Sequence, residues 1–299
     1  MERVAVVYQP GIADAEALAE RCAEHVVRRG HQAQLYSSWD LGPALATDGL
    51  TLAITFGGDG STLRVARWLA GTAAPIVGVK MGRLGFLAEL LPGELPDSLD
   101  PYLAGDYWLD VRTMARAEVL PPPATVEPHL PVPPSPPWEQ PAVMPSATAL
   151  EAMGPLIALN DVVVGRAAAG RAVRAAIEME GTVLAHWTAD GVIVATATGS
   201  TAYSFAAGGP ILMPELPNLV VTPISPHVHG TNGIVLPPDV VVTIRVSTPQ
   251  PASVSLDGHI DLPLLDGQGV TVQVADEQTR FARRGRRSEF YRSLLEKLR

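Results

Sequence analysis

A chain of 299 residues that is 47% hydrophobic and 18% charged holds enough apolar material for two ordinary domains and is not of disordered composition. Its net charge of -9 argues against a general polyanion partner, so nucleic acid is not expected. The single cysteine, Cys22, excludes an internal disulfide and a multi-cysteine zinc site, and it fits the reducing cytoplasm taken here as the expected compartment.

The N-terminus enters an apolar run directly, without the basic stretch and cleavage site of an export leader. No apolar run approaches the ~18 residues that span a bilayer, so no membrane partner is expected. Residues 4–8 are short, apolar and β-branched, which predicts a buried strand ended by Pro10-Gly11. Residues 13–29 carry apolar positions at helical spacing, and Gly30 stands where a C-cap glycine belongs. Strands are predicted over 32–37 and 52–56, the latter running straight into Gly57. A helix is predicted over 61–69, with Ser61 near its N-terminus, and a further strand over 76–79. Strands alternating with helices predict an α/β domain with a parallel sheet, assigned to residues 1–106.

The order strand, Gly57-Gly58-Asp59-Gly60-Ser61-Thr62, helix carries chemistry. Glycines at the carboxyl end of a strand let backbone approach a ligand, and that edge of an α/β sheet is where ligands bind. The helix that follows aims unpaired N–H groups and its positive end at the same point, which suits phosphate. Gly57, Gly58, Gly60 and Ser61 are therefore the candidate phosphate-donor loop. The spacing is neither that of a P-loop nor the dinucleotide G-x-G-x-x-G. A carboxylate beside phosphates is repelled unless it has a task, so Asp59 either holds a cation or takes a proton from an attacking hydroxyl. Arg64, one turn further on, can neutralise phosphate.

From about residue 107 to 276 the pattern becomes mostly β, with β-branched runs at 157–164, 173–179, 192–198, 219–224, 240–246 and 270–274 separated by turn signals. Residues 121–145 hold eleven of the 28 prolines, a density that no sheet accepts, and read as an extended surface insertion. Residues 277–299 form a closing segment, with an amphipathic helix predicted over 288–298. The last twenty residues carry eight of the 22 Lys+Arg, among them Arg283, Arg284, Arg286 and Arg287; a solvated helix end is the plain reading, a phosphate or interface role the other.

Inside the β region, 190–204 repeats the grammar of the first site: a strand, then Gly199 and small hydroxyl residues, then a helical start. Ser200, Thr201 and Ser204 offer hydroxyls and Tyr203 offers a flat face for a base. Asn160-Asp161 precedes an apolar run and can bind the two hydroxyls of a ribose or cap a turn. His227-x-His229 is too small a donor set for a metal site without a carboxylate partner.

Taken together, Gly57-Gly58-Asp59-Gly60, the run Gly82-Arg83-Leu84-Gly85-Phe86-Leu87-Ala88-Glu89, Asn160-Asp161, and Asp190-Gly191 through Gly199-Ser200-Thr201-Ala202-Tyr203-Ser204 resemble the NAD kinase family, in order and in rough spacing. The resemblance covers nearly the whole chain outside the proline-rich insertion. It implies phosphorylation of the adenosine ribose 2′-hydroxyl of NAD by ATP, or by polyphosphate in some members, to give NADP. It further implies an α/β domain, a mostly-β domain whose final segment returns to the first, and a homodimer or homotetramer. By this likeness Asp59 is the catalytic base, and Gly60 and Arg64 contact NAD. Asn160 and Asp161 contact ribose and adenine, and Asp190 meets the nicotinamide carboxamide. Thr201, Ala202, Tyr203, Ser204, Phe205 and Ala206 form the adenine pocket, and Arg171 and Thr188 are further NAD contacts. The expected divalent ion, Mg²⁺, arrives with ATP, and no dedicated protein metal site is expected. The sequence departs from the family pattern at Met81-Gly82-Arg83, at Asp161, where Glu is frequent, and at His259 of the Asp257-Gly258-His259 turn, where Gln is frequent; His259 becomes a candidate contact. A lipid kinase built on the same loop would want an apolar acyl pocket, which the 199–203 segment argues against, and a non-catalytic dinucleotide sensor would not need Asp59.

Overall fold

The computed structural model describes residues 1–82, 85–123, 156–167, 172–227, 232–247, 252–288, 291–292 and 296. Arg83, Arg171, His229, most of the proline-rich insertion and most of the expected C-terminal helix lie outside the described residues. The chain divides into two compact units, Met1–Arg112 with Gln278–Arg299, and Thr113–Glu277.

In the first unit, β1 (Arg3–Tyr8), β2 (Gln32–Ser37), β3 (Leu52–Gly57) and β4 (Ile76–Lys80) form a parallel sheet in the order β2-β1-β3-β4. Helix α1 (Ala15–Arg28) places Leu18, Ala19, Cys22 and Val26 against Val4, Val6, Leu52, Ile54, Phe56, Val77 and Val79, one face of those strands. Gly30 at φ +85° ends α1 as predicted. The N–H groups of Gly30 and His31 return to the carbonyls of Val27 and Val26, and that turn requires a left-handed residue. Helix α2 (Asp59–Trp68) starts two residues earlier than its apolar spacing suggested. Gly58 is its extended N-cap, so Asp59 and Gly60 belong to the first helical turn and not to the loop before it.

The second unit is a sandwich of two largely antiparallel sheets. Strands β7 (Asp161–Arg166), β10 (Gly191–Ala195), β11 (Leu219–Ile224), β12 (Ile234–Leu236), β14 (Ala252–Leu256) and β15 (Ile260–Leu264) build one, in the order β12-β11-β10-β7-β14-β15. The other contains β8 (Val173–Met179), β9 (Thr182–Ala189), β13 (Val242–Ser247) and β16 (Gly269–Arg283), with β5 (Trp108–Leu120) and β6 (Ile157–Ala158) attached. Alternate residues face the core, Val162, Val164, Val192, Val194, Val254 and Leu256 from one sheet meeting Val173, Ile177, Val242, Ile244, Val270 and Val272 from the other. The mostly-β reading agrees with this, but several details do not. The run 157–164 is broken between β6 and β7, because the N–H groups of residues 159–161 turn to a side chain instead of a neighbouring strand. Strand β16 is fifteen residues long, three times the run predicted for it, and Arg283 is its last residue, not part of a solvated helix end. No helix among the described residues is long and apolar enough to cross a membrane.

Candidate active site

In the first unit the chemistry gathers where β3 meets α2. A β-carbon on Gly57 would stand 2.3 Å from the Ser61 hydroxyl, so the strand can pass under the helix start only as glycine. Ser61 is buried, and its hydroxyl donates to the side-chain oxygen of Gln9. With the Ser61 hydroxyl engaged in this way, what the turn can still offer a ligand is backbone N–H, since the first N–H groups of a helix have no partner within it. Asp59 is half-buried and Gly60 exposed. The Asp59 carboxylate is held by two backbone donors from the segment that follows β4. Phe86 N–H reaches both oxygens, at 3.1 and 2.9 Å, and Leu87 N–H reaches Oδ1 at 3.2 Å. Gly85 keeps this approach open, because a β-carbon there would lie 3.3 Å from Asp59 Oδ1. Phe86 and Leu87 were part of a recognisable run, but their job was invisible: they serve through backbone, 27 and 28 residues from the side chain they orient. Arg64, half-buried on α2, has no ion-pair partner among the described residues.

In the second unit the chemistry gathers where β6 gives way to β7. The Asp257 carboxylate accepts from Leu159 N–H at 2.9 Å, Asn160 N–H at 2.7 Å and Asp161 N–H at 3.1 Å. Asp257 and Gly258 have φ of +51° and +64°, forming the tight turn from β14 to β15 that aims this carboxylate. Asn160 is held from the other side as well, its carbonyl accepting Thr196 N–H at 2.8 Å. Gly199 packs directly on it: a β-carbon there would lie 2.0 Å from the Asn160 carbonyl oxygen. The Asn160 side-chain amide, half-exposed, has no hydrogen-bond partner among the described residues. Asp257 was noticed in the sequence only as part of a turn, and its role as the clamp of Asn160-Asp161 needed a contact across 96 to 98 residues.

The structure brings Asn160, Asp161, Thr196, Gly199 and Asp257 together, and it sets Thr188 and Asp190 apart from them. Asp190 lies before β10 and Asn160 beside its end, a separation of roughly 15–20 Å at ~3.3 Å per residue. Asp190 is paired with Arg166 at 3.0 Å, and the Thr188 carbonyl accepts His227 N–H at 2.9 Å. The hydroxyls expected of 199–204 are largely spent inside. Ser200 is fully buried, donating to Ala197 O at 2.7 Å and accepting Leu212 N–H at 2.9 Å. Ser204 is fully buried against Thr222 Oγ1 at 2.9 Å, and Thr201 donates to Thr198 O at 3.1 Å. These side chains shape the turn from within, and the faces it presents outward are Tyr203 and Phe205, both exposed. Among the described residues no three His, Cys, Asp or Glu gather as a metal site.

Burial, aided by the charge of Asp257, pushes the Asp161 carboxyl up to about 7. The unfolded chain ionises this group near ~4, so between ~4 and ~7 the folded state holds a proton that the unfolded state releases. The resulting stabilisation is complete below ~4 and is lost as pH rises through about 7. Asp161→Asn should therefore gain stability relative to the native chain on moving from pH 5 to pH 8, by on the order of 2 kcal/mol. Urea unfolding of both chains at the two pH values measures this, and equal differences at both would contradict it.

Two family models match the chain, the ATP-NAD kinase N-terminal domain over residues 3–107 and the ATP-NAD kinase C-terminal domain over residues 159–284. The NAD kinase of Dehalococcoides mccartyi is 32% identical over 300 residues, covering 99% of this chain and 96% of that protein. The NAD kinase of Chloroflexus aggregans is 33% identical over 302 residues, covering 100% and 99%. Among solved structures, an NAD kinase from Archaeoglobus fulgidus in complex with ATP superposes with a TM-score of 0.73 at 22% identity, covering 98% of each chain. A yeast NADH kinase complexed with NADH superposes with a TM-score of 0.76 at 21% identity, covering 100% of this chain and 87% of that one. At these identities the two structures speak to the fold.

Proposed function

The chain belongs to the NAD kinase family, and on that premise we propose that it transfers a phosphoryl group from ATP, or from polyphosphate, to the 2′-hydroxyl of the adenosine ribose of NAD, making NADP. The observation that carries this reading is the match of both family models to one chain whose Asp59 stands, with its carboxylate oriented, at the N-terminus of a helix that follows a glycine turn.

Phosphoryl transfer asks a protein for positioning and charge stabilisation more than for covalent chemistry. In the proposed mechanism, the backbone of Gly57, Gly58, Gly60 and Ser61 and the positive end of α2 hold donor phosphates. Asp59 orients the 2′-hydroxyl and accepts its proton as the new O–P bond forms and the donor's terminal P–O bond breaks. Mg²⁺, taken as part of the ATP substrate, would neutralise phosphate charge there. Gly60 and Arg64 contact NAD. The Asn160 amide and the Asp161 carboxyl meet the ribose and adenine, and residues 201–206 line the adenine with Tyr203 against the ring. Asp190, at the far end of β10 from Asn160, meets the nicotinamide carboxamide, with Thr188 close to it in sequence. Arg171 retains the NAD contact that the family likeness suggests. The protein is proposed to work in the cytoplasm as a homodimer or homotetramer.

Since Asp257 supplies the acceptor for three backbone donors, Asp257→Ala should release Asn160-Asp161 and weaken NAD binding by roughly tenfold or more, with ~2–3 kcal/mol of stability lost. Calorimetric NAD titration and urea unfolding of the variant check both halves, and native affinity would remove Asp257 from the binding account. The function itself is tested by a matrix of ATP, GTP and polyphosphate against NAD and NADH, with diacylglycerol as a foreign acceptor. NADP or NADPH formation from at least one donor supports it, and transfer to diacylglycerol alone would replace it.

A further inference from the structure

The last strand ends beside the segment that holds Asp59. Arg283 Nη1 donates to the carbonyl oxygen of Leu87 at 2.9 Å, and the N–H of Leu87 donates to Asp59 Oδ1 at 3.2 Å. One residue's backbone therefore joins the guanidinium to the carboxylate. Arg283 is itself held by three further groups. Its Nε lies 3.3 Å from Asp110 Oδ2, its Nη1 lies 3.5 Å from Glu89 Oε2, and its plane stands over the Phe281 ring at 4.9 Å. Asp110 is buried and gripped by Arg112 through two contacts of 2.7 and 2.6 Å. Burial alone would raise the Asp110 carboxyl, and Arg112 and Arg283 more than reverse that, holding it below the usual carboxylate range. Glu89 also accepts from Tyr102 Oη at 3.1 Å, Gly285 N–H at 2.9 Å and Arg284 N–H at 2.5 Å. Its own N–H, with that of Leu90, donates to the Gly78 carbonyl on β4. The 86–90 segment is thus pinned to the sheet at one end and to β16 at the other.

Buried ion pairs add little net stability over apolar packing of the same volume, and what they offer instead is a defined arrangement. Here the arrangement ends on the two N–H groups that orient one carboxylate. We infer that Arg283 is a positioning residue for the reaction, setting the orientation of Asp59 through the backbone of Leu87. The inference rests on the reading of Asp59 as the base. It also gives a task to one member of the terminal basic cluster, whose charge is turned inward and not toward solvent.

The test is a cycle of Asp59→Asn, Arg283→Lys, Arg283→Met and the double variant D59N/R283K. Each is measured for kcat, for KM toward NAD and for its urea unfolding midpoint. Arg283→Met should lower kcat by roughly 10- to 100-fold with KM changed less than about threefold, because a sub-ångström misplacement of a catalytic group acts on turnover and not on binding. Arg283→Lys, which can still reach one acceptor, should fall between Met and the native chain. In the Asp59→Asn background Arg283→Lys should cost less than about twofold further, since there is no longer a base to misplace. A role confined to stability would lower the midpoint and leave the kcat losses multiplicative across the cycle. That outcome, or native kcat in both Arg283 single variants, overturns the inference. Should Arg283→Met not fold, the Lys cycle decides alone. An Asp59→Asn variant with native kcat would instead remove Asp59 as the base, a failure of the earlier reading that is separately visible.

Discussion

Asp59→Asn is expected to fold, to bind NAD with an affinity within about threefold of native, and to turn over at least ~10²-fold more slowly. The geometry makes this substitution unusually selective. Both backbone donors, Phe86 N–H at 3.1 Å and Leu87 N–H at 3.2 Å, converge on Oδ1. An asparagine that places its amide oxygen there keeps the Leu87 bond and the longer Phe86 bond, and gives up only the 2.9 Å contact of Phe86 N–H with Oδ2, where its NH₂ cannot accept. Position largely survives and basicity does not. The loss should then appear in kcat and in kcat/KM alike, the pattern of an interaction made only in the transition state. Single-turnover rates beside a calorimetric NAD titration separate the two. Turnover near native would mean that Asp59 orients without accepting a proton. Lost binding would mean that its charge serves the ground state.

Gly199→Ala is expected to remove the folded second unit, or at least ~3 kcal/mol of its stability. The added methyl would lie 2.0 Å from the Asn160 carbonyl oxygen, 2.4 Å from its carbon and 2.7 Å from its Cα. All three are backbone atoms, so no flexible side chain can swing aside. Asn160 cannot yield freely either, with its N–H on Asp257 at 2.7 Å and its carbonyl on Thr196 N–H at 2.8 Å. The Thr196 hydroxyl meanwhile donates to Leu159 O at 2.6 Å and accepts Gly199 N–H at 3.1 Å, so strand end and turn move together or not at all. Any folded remainder should have lost NAD binding, because the residue displaced is the proposed ribose contact. Gly58→Ala is the matched control: its extended backbone and open surroundings leave a methyl there with nothing within 4 Å, and it should fold normally. Equal stability of Gly199→Ala and Gly58→Ala would show that the packing at Gly199 is softer than the contacts imply.

What could be read from the sequence was local. Strands β1 to β4, helix α1 and its Gly30 cap followed from periodicity and turn chemistry, because each is decided by residues a few positions apart. The glycine turn before α2 was legible for the same reason, although Asp59 proved to be inside the helix. The β region was legible as a class and less so in its parts. Strand β9 buries Trp187 and Ala189 but exposes Val183 and Leu184, so its apolar residues mark a core face only in part, and β16 carries Asp276, Glu277, Arg280 and Arg283 in its second half. Side-chain direction was the larger loss. The hydroxyls that Ser200 and Ser204 offer in the sequence are both used internally, Ser200 on Ala197 O of its own turn and Ser204 against Thr222 on β11. The groups that aim the candidate residues lay beyond local reading altogether. Asp257 clamps residues 96 to 98 positions away, and Arg283 reaches Asp110 and Leu87 across 173 and 196. A charge run near a terminus looks like a solvated face unless its distant partners are known.

The most direct test of the account is the identity of the product. The purified chain, given NAD and Mg-ATP, should form NADP in one-to-one proportion to ADP, read out by a dehydrogenase that accepts only the 2′-phosphorylated cofactor, with the rate falling at least ~10²-fold in Asp59→Asn. ADP release without NADP, or NADP formation undiminished in that variant, would contradict it.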